Sequence, residues 1–135
     1  MARHTIAVFG PIADANGAPT LATDGASLDD FRGEFGKMPD AADAVITGQA
    51  AGGTLSCQIR VWLYYQSEGL WAPSGKGGST KGYLNDGAVL AETGTNTLRH
   101  TEQLVRSAAQ RIYFQLLSPT GNSPRWFRGD LAAEV

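Results

Sequence analysis

Apolar and polar positions alternate by two along residues 55 to 66. Leu55, Cys57, Ile59, Val61, Leu63 and Tyr65 fall on one side, and Ser56, Gln58, Arg60, Trp62, Tyr64 and Gln66 on the other. Successive side chains of a strand point to opposite faces, so the first set is a core face and predicts a strand over 54–66. Ser67-Glu68-Gly69 then turns the chain into a second strand over 70–72, a hairpin closed by a short glycine-containing loop. The alternation recurs over 110–117. Ile112, Phe114 and Leu116 form the core side, and Arg111, Tyr113, Gln115 and Leu117 the other. Ser118-Pro119 and Gly121 end that run.

The remaining elements are weaker. Residues 5–9 read as a first strand stopped by Gly10-Pro11. Residues 10–27 are rich in Ala, Gly, Asp, Thr and Pro without periodicity, and segments this long without structure are usually functional or mobile. Ser27, with Asp30 three positions on, suits a helix cap. Leu28, Phe31 and Phe35 have helical spacing, and Gly33 limits that helix to one or two turns. Residues 44–47 read as a strand, 48–53 as a turn, 73–82 as a flexible loop, and Asp86-Gly87 as a tight turn. Residues 98–106 fit helix or strand, and their neighbours favour strand. Residues 126–135 read as a last edge strand. The expected fold is a single all-β domain over 1–135. It is an antiparallel β-sandwich, jelly-roll or immunoglobulin-like, with a long N-terminal arm at 10–35 and at most one short helix.

A chain of 135 residues buries roughly two thirds of its unfolded surface, enough for a core without disulfides or metal. The 17 glycines cluster between apolar runs and suit a turn-rich β-protein. A formal charge of −2 argues against nucleic-acid binding through bulk charge. The lone Cys57 forms no internal disulfide and, on the apolar face, behaves as a small hydrophobe. No run approaches the ~20 apolar residues of a membrane span, and the N-terminus lacks a secretory pattern. Neither a membrane nor a nucleic acid is an expected partner, and synthesis in the cytoplasm is expected.

The outward side of 54–66 carries two large aromatics where polar residues belong. If the strands at 54–66 and 110–117 are neighbours, Arg60, Trp62 and Tyr64 join Arg111, Tyr113 and Gln115 in one amphipathic patch. Trp, Tyr and Arg are the types enriched in binding hot spots. Three readings compete. The arm at 10–35, with Phe31 and Phe35, covers the patch; a partner protein covers it; or a glycan stacks on Trp62 or Tyr64, with Gln58, Gln66 or Asp86 supplying hydrogen bonds.

Catalytic and metal sites are not expected, and no cofactor is implied. His4 and His100 lie in no zinc spacing. A Cys57–His100 nucleophile pair needs an exposed thiol in a polar setting, which an apolar strand face denies. Asp29, Asp30 and Glu34 read as a solvated helix face with Arg32. Asn85, Asp86 and Glu92 lack the EF-hand calcium pattern. In SGKGGSTKG, Lys76 precedes Gly77 where a phosphate loop requires Ser or Thr. Arg128-Gly129-Asp130 reads as a polar turn before Leu131.

CQIRVWLYYQSEGLWAP, LNDGAVLAE and QRIYFQLLSPTG together resemble the virion structural proteins of tailed bacteriophages. These include capsid decoration (cement) proteins and small neck or tail components with jelly-roll or immunoglobulin-like sandwiches. The resemblance covers residues 54 to 121. It implies a non-enzymatic structural protein located in the virion and made in the host cytoplasm. It also implies homo-oligomers, often trimers or larger rings, docked on other virion proteins such as the major capsid protein. The alternative is a carbohydrate-binding sandwich.

Overall fold

A computed structural model describes residues 3–12, 25–28, 41–75, 80–105 and 109–134. Among these residues, nine strands run in chain order as β1 Arg3–Ile12, β2 Ala26–Ser27, β3 Ala41–Gly52, β4 Ser56–Tyr65, β5 Leu70–Pro73, β6 Leu90–Ala91, β7 Thr97–Val105, β8 Arg111–Leu117 and β9 Asn122–Glu134. A 3-10 turn at Leu84–Gly87 precedes β6. The strands form two antiparallel sheets, β1-β9-β3-β7 and β2-β8-β4-β5, with β6 also paired to β4.

The order follows from one long folded hairpin. β1 pairs with β9, β2 with β8, and β3 with β7. β4 pairs with β5 at Trp62–Tyr65 and with β6 at Ser56 and Cys57. Between them, Val61 N–H donates to the Gly82 carbonyl at 2.7 Å, and Arg60 bridges Tyr83. Residues 70–73, 82–83 and 90–91 therefore lie one after another along β4. Each strand of the first half meets its mirror in the second, and the pairs alternate between sheets. That is the connectivity of a jelly roll, and it decides between the two sandwich types expected.

The core lies between the sheets. Leu55, Cys57, Ile59, Val61 and Leu63 of the β4 region and Ile112, Phe114 and Leu116 of β8 face Ala42, Ala44, Ile46 and Ala50 of β3, Leu98 of β7, and Phe127 and Leu131 of β9. Bulky rings sit against glycines, one on the neighbouring strand and one across the core. A Cβ on Gly48 would lie 2.9 Å from a Phe127 ring carbon, and one on Gly129 would lie 2.9 Å from a Phe114 ring carbon. These contacts explain two corrections. The turn expected at 48–53 is strand as far as Gly52, because Gly48 clears space for Phe127 rather than bending the chain. The edge strand expected at 126–135 is a central one, with β1 on one side and β3 on the other.

Three further differences are local. β1 runs through Gly10-Pro11 with a register shift between Phe9 and Pro11. An edge strand tolerates proline, which has no N–H to donate. Arg128-Gly129-Asp130 lies inside β9, not in a turn, and Arg128 Nε donates to Asp130 Oδ1 at 3.0 Å on one face of the strand. Of the helix expected after Ser27, only its first two residues are described. Ser27 pairs with Arg111 in β2, and Leu28 is buried. Phe31, Phe35, Asp29, Asp30, Arg32 and Glu34 lie outside the described residues, as does most of the arm.

Candidate functional site

β4 and β8 are adjacent and antiparallel, and their register sets Arg60 opposite Gln115, Trp62 opposite Tyr113, and Tyr64 opposite Arg111. The six residues singled out from sequence therefore share one outer sheet face. All six are partly buried, because they pack on one another. The Trp62 indole Nε1–H donates to Gln115 Oε1 at 2.8 Å, one step off the register pair. The Arg60 guanidinium lies 4.6 Å from the Trp62 ring centre and 5.2 Å from that of Tyr83, a cation–π arrangement on two rings. Arg60 Nε also donates to the Lys81 carbonyl at 3.1 Å, which fixes the stack.

Two members of the patch were missed in the sequence. Trp71 of β5 pairs with Tyr64 across the hairpin. Its ring centre is 5.2 Å from that of Tyr64 and 6.3 Å from that of Tyr113, edge to face. The turn supplied a usable signal: Glu68 and Gly69 N–H both bond the Tyr65 carbonyl, so counting outward from the turn places Trp71 beside Tyr64. Tyr83 had no such signal. It reaches the face through the broken strand along β4. At the opposite margin, Arg111 Nη2 donates to the Gly25 carbonyl at 3.0 Å, so the described end of the arm touches the rim of the patch.

Among the described residues, the other candidate groups are held by separate partners. Cys57 is fully buried, and burial pushes its thiol up to about 12, so it stays protonated and unreactive at neutral pH. His100 Nε2 lies 2.9 Å from Glu102 Oε1, and Glu102 Oε1 also accepts from Asn85 N–H at 2.7 Å. Glu92 Oε2 accepts from Leu55 N–H at 3.3 Å, which separates its role from that of Asn85 and Asp86. Gln58 Nε2 donates to the Gly87 carbonyl at 2.7 Å, tying the 84–87 turn to β4. Among the described residues no three acidic, histidine or cysteine side chains cluster as a metal site would require. Gly77, Gly78 and Lys76 of the glycine-rich loop lie outside the described residues, and of His4 only the backbone position in β1 is described.

A cleft of about 400 Å³ lies between residues 74–75 and 80–84 on one side and the end of β7 on the other, bordered by Lys81, Asp86, Glu102 and Gln103. It does not adjoin the aromatic patch residues other than Tyr83. No helix among the described residues is long and apolar enough to cross a membrane. No protein-family model, curated protein or solved structure matches this chain.

Proposed function

We propose that this chain is a non-enzymatic structural protein of a tailed-phage particle, docked through the outer face of β8-β4-β5 as a capsid decoration protein or a neck or tail component. The observation that carries the docking role is the register pairing of Trp62 with Tyr113, extended by Trp71 and braced by Arg60. The rings are held by neighbours before any partner arrives, so little side-chain entropy is lost on binding. Aromatic and arginine anchors on a rigid sheet are the usual makings of a protein-binding hot spot. Jelly rolls serve in viral shells and in lectins alike, so the choice rests on the face. The indole N–H of Trp62, its one hydrogen-bond donor, already bonds Gln115 within the chain and is not left to read sugar hydroxyls. That favours another protein surface, either a second copy or another particle component.

The test is incorporation. Tagged chain is produced alongside the remaining particle genes of its source, and purified particles are counted for it by quantitative mass spectrometry. The proposal expects fixed stoichiometry for the wild type and loss of incorporation for folded Trp62→Ala. Absence of wild-type chain from particles overturns the particle role. Equal incorporation of Trp62→Ala overturns the role of the face.

A further inference from the structure

β7 is the outer strand of its sheet, and it is unusually well suited to pairing. It matches β3 over nine consecutive positions, Thr97 to Val105 against Gln49 to Ala41, with no bulge. It contains neither proline nor glycine. Natural edges are normally blunted by such breaks or by a covering element. Among the described residues, no strand pairs with its other side. Arg99, Thr101, Gln103 and Val105 are exposed, and Val105 retains 52 % of its surface.

The direction of its backbone groups is fixed by two contacts. The Asn96 carbonyl accepts from Ala50 of β3, while the Thr97 carbonyl accepts from Thr93 in the preceding turn, on the opposite side. Backbone groups alternate along a strand. Those of Leu98, His100, Glu102 and Leu104 therefore face β3, and those of Arg99, Thr101, Gln103 and Val105 face away from it. Thr97 is already engaged by the turn, so the open stretch runs from Arg99 to Val105.

That stretch reads the same way against itself. With two copies antiparallel about Thr101, Arg99 meets Gln103, Thr101 meets Thr101, His100 meets Glu102, and Leu98 meets Leu104. Each relation holds in both directions, as a two-fold interface demands. Any other centre breaks the set: moving it one residue along places Glu102 or His100 opposite its own kind. In the Thr101 register the His100 and Glu102 positions are the wide pairs without backbone bonds, where facing side chains approach most closely. A histidine facing a carboxylate there can hydrogen-bond it, as His100 Nε2 and Glu102 Oε1 do within one copy at 2.9 Å, whereas two facing carboxylates repel.

We propose that a second copy of this chain adds to the open edge of β7 in the antiparallel register centred on Thr101, joining two four-stranded sheets into one across a two-fold axis. This surface is separate from the aromatic face and stands whether or not that face docks on a particle.

Sedimentation velocity across a concentration series tests it, with Thr101→Pro as the variant. Proline at this position removes an N–H that faces away from β3, so the fold of one copy keeps its bonds. The wild type is expected to reach twice the chain mass, and Thr101→Pro to remain at one chain mass with an unchanged circular dichroism spectrum. A wild type that stays monomeric into the millimolar range overturns the proposal, as does a folded Thr101→Pro that still dimerises. If Thr101→Pro does not fold, cross-linking decides. Thr101→Cys with a short bis-maleimide is expected to give a covalent dimer, and Thr93→Cys on the neighbouring turn to give none. Equal cross-linking at both sites, or at neither, overturns the register.

Discussion

Trp62 and Gln115 are joined across the β4–β8 pair by a 2.8 Å hydrogen bond that runs diagonally, since the register partner of Gln115 is Arg60 and that of Trp62 is Tyr113. This diagonal locks the indole plane while Arg60 holds it from one side. Trp62→Phe keeps an aromatic ring and removes the bond. It is expected to cost about 1 kcal/mol, the usual net value of one such bond, read as a shift in the urea midpoint with an unchanged slope.

Phe114 and Gly129 are matched in size across the core. Gly129→Ala places a methyl carbon 2.9 Å from the Phe114 ring, and overpacking of this kind costs about 1–3 kcal/mol. Phe114→Leu alone removes core volume and also destabilises. The double variant is expected to be more stable than the two losses added together, because the smaller side chain yields the space the methyl needs. Additive losses in equilibrium unfolding contradict the contact.

Cys57 links burial to pH. Burial pushes its thiol up from the ordinary 9.0 to about 12 in the folded chain. The unfolded chain thus releases this proton first as pH rises. Stability from this group is intact below about pH 9 and falls between about pH 9 and pH 12, at up to about 1.4 kcal/mol per pH unit. Cys57→Ala removes that slope, so the gap between wild type and variant is expected to narrow as pH climbs through this window. At pH 8 the thiol should resist a maleimide in the folded chain and react once urea unfolds it.

The 84–87 turn places three successive residues at positive φ, with Asn85 at 57°, Asp86 at 53° and Gly87 at 87°. Glu102 holds its first residue and Gln58 its last. Gly87→Ala meets both a strained φ and the Thr80 side chain at 2.9 Å. It is expected to lower stability by about 1–3 kcal/mol. Glu102→Ala should loosen the turn with less loss, seen as faster amide exchange at Asn85.

The strands that carry the aromatic face were legible because both show unbroken alternation. Leu55 to Leu63 and Ile112 to Leu116 put every inward position in an aliphatic or aromatic residue, Cys57 included, and the outward residues followed by parity. β7 was ambiguous in sequence, and its nine-residue pairing with β3 resolves it as strand. β3 and β9 were misjudged for a shared reason. Their inward positions include Gly48 and Gly129, which carry no apolar signal of their own and gain meaning only from the ring of Phe127 on the neighbouring strand and that of Phe114 across the core. Pattern reading sees one strand at a time, whereas that fit belongs to pairs of strands. Trp71 and Tyr83 escaped because their place on the face depends on strands β5 and the 82–83 bridge lying beside β4.

The outer face of β8-β4-β5 is the proposed docking surface. Hydroxyl-radical footprinting of free chain and of chain bound in particles tests it most directly, because the opposite sheet supplies an internal control in Trp126, which keeps 43 % of its surface. Protection on binding is expected at Trp62, Tyr64, Trp71 and Tyr113, with Trp126 oxidised as before. Protection confined to Trp126, or equal oxidation of all five rings in both states, would contradict it.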